Sequence, residues 1–379
     1  MQEGTERRLA AEALDRLARG ALPEADAVKK VDVGRYTCTD VLVAEKATLF
    51  RHHPLPLAFG CEIAEPGDYL TLEVAGVPVL LMRGDDGTAR GLLNTCRHRG
   101  ARLLDGAGRA GKTFLCPYHN WAYGRCGTLR AQTASEHFPG IAVGETGLVR
   151  FPTEERHGLV WLLLDPSGTL DLDESLGSLG PELAAFGLEG YRHHRSHVST
   201  RRMNWKLGMD SSLECYHVPF LHRESVGNVV LGPVFLFEAL GRHSRLVLPL
   251  PGILRQQGRD PETHRLVPYA NISYRLFPNC LFISRGPRVE LVCFFPDPER
   301  PDRAQCRSSF AWPADDDAAR DREGTIRFVL RVRDEDLSVM EGVQANLAAG
   351  VQREVVFGRN EIGLHNFHEV RDAALAGQG

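Results

Sequence analysis

The sequence predicts an α+β chain of two domains, a small antiparallel β domain followed by a domain with helices on one face of an antiparallel sheet. Three observations carry this. Short strand-like runs separated by Gly, Pro and Asp clusters fill the region from about Cys38 to Leu164. A turn-rich spacer follows, from Asp165-Pro-Ser-Gly to Gly180-Pro181. Beyond it, strands are flanked by helical stretches, the pattern of an α+β layer.

In chain order, Met1 to about Gly20 alternates Glu and Arg with Leu and Ala and reads as a short amphipathic helix within a lead-in over residues 1–40. The β domain is placed at residues 41–165, with strands at Asp68-Tyr-Leu-Thr-Leu-Glu-Val, Val77-Pro-Val-Leu-Leu-Met and Gly158-Leu-Val-Trp-Leu-Leu-Leu. The second domain is placed at 182–379. Its predicted elements are a helix from Asn204 to about His217, strands between about Val229 and Trp312, a long helix from about Asp316 to Ala348, and a last helix from near Gly358. No internal repeat or low-complexity segment interrupts them.

Composition narrows the function classes. The chain of 379 residues is 43% hydrophobic and 25% charged, as expected of a globular protein of two domains. A net charge of −4 gives no support to nucleic-acid binding, which calls for a basic face. No apolar run approaches the ~20 residues of a membrane span. The N-terminus lacks an apolar signal core, so a cytoplasmic protein is expected. Nine cysteines spread over a long chain do not form a secreted disulfide framework. Cys61, Cys280 and Cys293 sit in apolar surroundings and read as small core residues.

Cys96 and Cys116 differ, because each has a histidine close by. Cys96-Arg-His98 and Cys116-Pro-Tyr-His119 are two ligand pairs separated by residues 99–115. Zinc sites of the Cys₂His₂ type group Cys with Cys and His with His. Here each loop supplies one of each, which suits a diiron cluster with two thiolates on one iron and two imidazoles on the other. Neutral imidazoles in place of thiolates raise the reduction potential and leave outer nitrogens facing an electron acceptor. The C-x-H…C-x-x-H spacing, with Arg99-Gly100, Pro117-Tyr118 and Trp121 beside it and Tyr123, Gly127 and Leu129 downstream, resembles the Rieske [2Fe–2S] domain. Cys126 matches no ligand position of that family.

A second constellation is Glu214-Cys-Tyr-His217-Val-Pro-Phe-Leu-His222. Histidines five apart fall on different faces of a regular helix, but a bend at Pro219 can bring both onto one centre. Mononuclear iron oxygenases use two His and one carboxylate, leaving positions open for dioxygen and substrate. From Asn204-Trp-Lys206 onward the segment resembles the catalytic domain of Rieske ring-hydroxylating oxygenase α subunits, a START-like fold. The resemblance implies mononuclear Fe(II) on His217 and His222, with an Asp from a later helix. In Arg333-Asp-Glu-Asp336 the best match is Asp336, with Asp334 second. Glu214 stands where most ring-hydroxylating members have Asp, and Glu-Cys-Tyr-His is similar to the branch acting on quaternary ammonium compounds, the carnitine and glycine-betaine oxygenases. The resemblance implies that Glu214 links an iron histidine to a cluster histidine of a neighbouring subunit; Asp210 either supports that link or is a plain helix residue.

The implied protein is a terminal oxygenase, using O₂ and a small-molecule substrate to hydroxylate or oxidatively demethylate. The alternative is mono- or dihydroxylation of an aromatic ring. A homotrimer is implied, and because no G-x-G-x-x-G fingerprint appears, so is a separate NAD(P)H-dependent reductase or ferredoxin. A quaternary ammonium substrate calls for an aromatic cage, for which Phe220, Phe235, Phe237, Tyr269 and Tyr274 are the available rings. A non-catalytic Rieske carrier has no use for Glu214, His217 or His222, and a zinc-stabilised binding protein would carry zinc without iron.

Overall fold

The structure is a computed structural model that describes residues 1–231, 234–316 and 321–378. Asn228 is described for its backbone only.

The first helix, Glu3–Arg19, follows the amphipathic pattern, burying Leu9, Ala10 and Ala13 and ending at Gly20 in the left-handed region (φ 62°). Strands were expected from about Cys38. The chain instead forms a helix at Thr39–Glu45, continued by a π-type turn at Lys46–Phe50. Leu42, Glu45 and Leu49 point inward, a helical rather than an alternating period.

The β domain is three small antiparallel sheets. Five strands run in the order Arg150–Phe151, Ala89–Leu93, Val77–Arg83, Asp68–Val74, Ala107–Arg109. Three more, Thr153–Arg156, Leu159–Leu162 and Leu55–Phe59, carry the buried Trp161. The third sheet, Thr113–Leu115, Ala122–Gly124 and Leu129–Ala131, holds the second Cys-His loop. The spacer after Asp165 is not featureless: it contains short helices at Leu172–Leu176 and Leu179–Ala184, which bury their leucines.

The second domain is built on a seven-stranded antiparallel sheet ordered Tyr191–Arg201, Ala304–Pro313, Arg288–Pro296, Cys280–Arg285, Ala270–Leu276, His243–Pro249, Leu236–Leu240. The strand Arg288–Pro296 is buried along its whole length, as a central strand covered on both faces should be. Cys280 and Cys293 face each other across adjacent strands in this core as free thiols, whereas Cys61 is only half-buried.

A helix of 27 residues, Arg322–Ala348, is anchored to the sheet where Arg333 reaches Glu290 and the Ser308 hydroxyl. It starts at Asp321, whose carboxylate accepts from the Gly324 amide (2.6 Å). The last helix, Ile362–Leu375, closes the domain. The lead-in is bound to the second domain by pairing of Lys29–Asp32 with Glu354–Phe357. It is also bound by a buried ion network: Glu45 takes Lys206 Nζ at 2.7 Å, Arg371 Nε at 2.7 Å and the Trp205 indole at 2.8 Å. Glu45 and Lys206 have no exposed side-chain surface. Such a pair is tolerable only because every charge finds a partner.

Candidate active site

Two loops of the β domain have the same backbone geometry. The Cys96 amide bonds Ala101 O and the Cys116 amide bonds Trp121 O, each at 2.8 Å. The amides of Gly100 and Asn120 return to Cys96 O and Cys116 O, each at 3.0 Å. Gly100 (φ 75°) and Asn120 (φ 59°) both sit in the left-handed region that these turns need, one through its missing Cβ and the other through its short polar side chain. The loops therefore aim their side chains alike. Cys96 and Cys116 are buried, while His98 and His119 are half-exposed with their Nδ1 atoms 3.1 Å apart.

Trp121 stacks on His98 (5.1 Å, 9° between planes), Phe138 meets both edge-on, and Tyr118 lies over His119. The Tyr123 hydroxyl accepts from the Arg97 amide (3.0 Å), so its proton is free for Cys96 Sγ at 3.2 Å. Two buried sulfurs and two imidazoles on matched turns fit a [2Fe–2S] cluster with its histidine edge toward solvent. Cys126 takes no part; its sulfur is 3.1 Å from Thr128 Oγ1.

In the second domain the predicted helix from Asn204 to His217 is cut short at Trp205–Asp210. Ser211 and Ser212 turn their hydroxyls back onto Gly208 O (3.1 and 3.0 Å), an alternative to helical continuation. One further helical turn, Val218–Leu221, has Pro219 near its start and is flanked by His217 and His222, which lie outside it. Asp336 comes from the long helix. Ligand atoms of His217, His222 and Asp336 all lie within 4.8 Å of one another.

His222 Nε2 and His217 Nε2 face Asp336 Oδ1 at 2.9 and 3.3 Å, yet that buried oxygen has no well-formed hydrogen bond. Three converging donor atoms around an unsatisfied carboxylate oxygen fit a divalent cation, and two imidazoles with one carboxylate are the donor set of non-haem iron. Burial alone would raise the Asp336 carboxyl; the two imidazoles hold it below the usual carboxylate range. Burial opposes protonation of His217, but Asp336 and Glu214 outweigh it and lift the imidazole to about 10. Those carboxylates are what a cation would replace the proton against.

Glu214 bonds His217 Nδ1 and accepts the His217 amide at 3.2 Å. Asp210 does not join it. Its oxygens are taken by the Tyr36 hydroxyl (2.7 Å) and His368 Nε2 (2.9 Å), a buried tie between the lead-in and the last helix. Asp334 turns away and pairs with Arg201 at 2.6 Å. A residue not anticipated is Glu335, which takes His222 Nδ1 at 2.7 Å and the Ser225 hydroxyl at 2.7 Å.

The three residues border a cavity of about 180 Å³. Cavities near ~150 Å³ with apolar walls accept benzene. Val226, Leu246, Leu248, Ile283, Val329 and Val332 supply apolar wall, and Phe328 is its one aromatic ring among the described residues. None of Phe220, Phe235, Phe237, Tyr269 or Tyr274 lines it: Phe220 is exposed, and Phe235 and Tyr274 are buried in hydrophobic packing. Among the described residues, the expected aromatic cage does not line this cavity.

A family model for the ring hydroxylating alpha subunit (catalytic domain) matches residues 188–377, and one for the Rieske [2Fe-2S] domain matches residues 53–143. The chain belongs to the ring-hydroxylating α-subunit family, a family of Rieske oxidoreductases with a [2Fe–2S] domain and a catalytic domain that binds mononuclear iron. The carnitine monooxygenase oxygenase subunit of Acinetobacter pittii (strain PHEA-2) is 32% identical over 184 residues, 48% of this chain and 49% of that protein. The glycine betaine monooxygenase oxygenase subunit of Chromohalobacter salexigens is 30% identical over 197 residues, 52% of this chain and 43% of that protein. The chain thus spans about half the length of the curated relatives it matches.

Two solved structures share the fold. The quaternary ammonium Rieske monooxygenase CntA in complex with L-carnitine has a TM-score of 0.77 at 22% identity, covering 92% of this chain and 95% of that one. Naphthalene 1,2-dioxygenase from Rhodococcus sp. bound to indole has a TM-score of 0.75 at 20% identity, covering 98% and 99%. Among the described residues, no helix is long and apolar enough to cross a membrane.

Proposed function

We propose that this chain is a terminal oxygenase component, which uses O₂ and electrons from a separate NAD(P)H-dependent reductase or ferredoxin to oxidise a small organic substrate. The observation that carries the reading is the convergence of His217, His222 and Asp336 at the wall of a cavity large enough for such a molecule. Iron held there would supply activation of O₂ beside the substrate.

The chain's own residues have separable roles in this reading. Cys96, His98, Cys116 and His119 hold the cluster. Glu214 accepts from His217 Nδ1, which fixes the ring with Nε2 toward the metal. In a ring-shaped homotrimer the same carboxylate would meet a cluster histidine of the neighbouring subunit, giving electrons a hydrogen-bonded route. His98 and His119 are half-exposed, as that route needs. Asp336 would hold the third iron position, its single negative charge offsetting one of the two positive charges of the metal. The apolar wall excludes water from the substrate.

Hydroxylation and oxidative demethylation are both within this chemistry. The missing aromatic cage weighs against a simple quaternary ammonium cation and in favour of a substrate with an apolar body. Oxygen uptake with a surrogate reductase, together with metal analysis and electron paramagnetic resonance, tests the reading. Three irons per chain, a reduced [2Fe–2S] signal and substrate-coupled O₂ uptake are expected; zinc in place of iron, or cluster iron alone, would overturn it.

A further inference from the structure

The strands Cys280–Arg285 and Arg288–Pro296 form a hairpin whose last register pair is Arg285 opposite Arg288, across a turn of Gly286 and Pro287. Both guanidinium-bearing residues line the cavity that His217, His222 and Asp336 border. Like charges directly opposite on paired strands repel, and the arrangement is retained only where something offsets it.

Among the described residues, neither side chain has a hydrogen bond or an ion pair. Arg288 is only 6% exposed and its buried Nε has no partner. Burial lowers both guanidinium groups from their ordinary value, the sign of charge held without adequate solvation; for Arg288 the nearby Glu290 only partly compensates. Glu290 binds Arg333 through Oε1, and Arg333 also donates to Ser308; Glu290 Oε2 is buried with no hydrogen-bond partner and reaches neither arginine. Two cations therefore line one cavity with no ion pair of their own, the nearby Glu290 being shared with Arg333.

Resting on the oxygenase reading above, we propose that the substrate is an organic carboxylate whose carboxyl group binds Arg285 and Arg288 and whose apolar body enters the cavity. Guanidinium donors match a carboxylate in plane and in number, and such charge-assisted hydrogen bonds are roughly twice as strong as neutral ones. The remaining wall of Val, Leu and Ile suits a hydrocarbon chain or ring. Arg285, Arg288 and Phe328 also border an adjoining surface depression with Trp312 and Arg322, so the carboxylate end is the one nearer that depression.

A binding measurement separates this proposal from the oxygenase reading, because it needs no turnover. Benzoate, hexanoate, benzamide, glycine betaine and the phenyltrimethylammonium cation are titrated calorimetrically into the purified holoprotein. Benzoate and hexanoate should bind at least about tenfold tighter than benzamide or the cation. Arg285→Gln and Arg288→Gln should each weaken benzoate by at least about tenfold and leave benzamide unchanged.

Failure of both acids to bind, or equal affinity for benzoate and benzamide, overturns the proposal. So does unchanged benzoate affinity in folded variants, judged by an intact cluster spectrum. Glycine betaine binding tighter than hexanoate overturns the apolar half, since it would place a cation beside Glu290. If the variants do not fold, the ranking of probes on the unaltered protein decides. Carboxylate binding without any coupled O₂ uptake would sink the oxygenase reading alone.

Discussion

Glu335 Oε2 stands 2.7 Å from Nδ1 of His222, while Nε2 of the same ring faces Asp336 Oδ1 at 2.9 Å. The imidazole is thus gripped from both ends. A carboxylate on Nδ1 fixes the tautomer that leaves the Nε2 lone pair for a metal and makes that nitrogen a better donor. Glu335→Gln keeps the shape but loses the charge. Iron affinity at the mononuclear site should drop by about 10–100-fold, with the [2Fe–2S] signal unchanged. Iron analysis against a chelator series checks this; equal retention in both proteins would assign Glu335 to Ser225 and to Arg331, whose Nε lies 3.4 Å from Glu335 Oε1.

The Tyr123 hydroxyl lies 3.2 Å from Cys96 Sγ and, with the Arg97 amide on its lone pair, donates to that sulfur. A hydrogen bond to a ligating sulfur favours the more negative, reduced cluster, so its loss should lower the reduction potential. Tyr123→Phe removes only the oxygen and keeps the ring packed beside Phe114. A potential equal to or above that of the unaltered protein, read by redox titration of the cluster spectrum, would mean the hydroxyl serves Arg97 alone.

Gly363, in the last helix, lies so close to the iron segment that an added Cβ would sit 2.0 Å from Leu213 O. Backbone cannot yield as a flexible side chain can, so Gly363→Ala must displace the helix or the residue just before Glu214. Overpacking of this kind costs roughly 1–3 kcal/mol. The expected outcome is a lower unfolding midpoint and less bound mononuclear iron, with the cluster domain unaffected. Full iron occupancy would show that the helix, rather than the Glu214 segment, gives way.

What could be read in advance depended on how local the signal was. Cys96, His98, Cys116 and His119 form two contiguous motifs that spacing alone can pick out, and the two loops that carry them share one hydrogen-bond pattern. Asp336 could be chosen over Asp334 only through resemblance, because helical phase decides which faces the histidines. Glu335 sat beside it unremarked, since an acidic run does not announce which carboxylate turns inward. Arg285 and Arg288 were illegible because their juxtaposition is a product of hairpin register. The pairing of Lys29–Asp32 with Glu354–Phe357 joins segments too far apart for any periodicity to reveal. The role of Asp210 stays open in the sequence for a related reason: its partners, Tyr36 and His368, come from opposite ends of the chain.

His243 makes the fold's stability depend on pH. It is buried, its Nε2–H donates to Ser175 O at 2.9 Å, and its Nδ1 accepts the Phe277 amide at 3.1 Å. Only the neutral ring can make both bonds. Burial, aided by the charges of Arg275 and Arg242 and opposed by Ser175 O, lowers its pKa from 6.5 to about 4. The unfolded chain takes up the proton near 6.5 and the folded chain only near 4. Between those values the unfolded state binds more protons, so stability is full above the unfolded value and falls as pH drops, by up to about 1.4 kcal/mol per pH unit. His53, also lowered to about 4, adds in the same direction, so the assignment needs a variant. His243→Gln can donate through Nε2 and accept through Oε1 without titrating. Urea unfolding from about pH 7 to about pH 5 should give the variant a shallower loss of stability, by close to one proton's worth. An unchanged slope would place the pH sensitivity in His53 or in the carboxylates, because a buried imidazole that never needs its proton contributes to the slope only by refusing it.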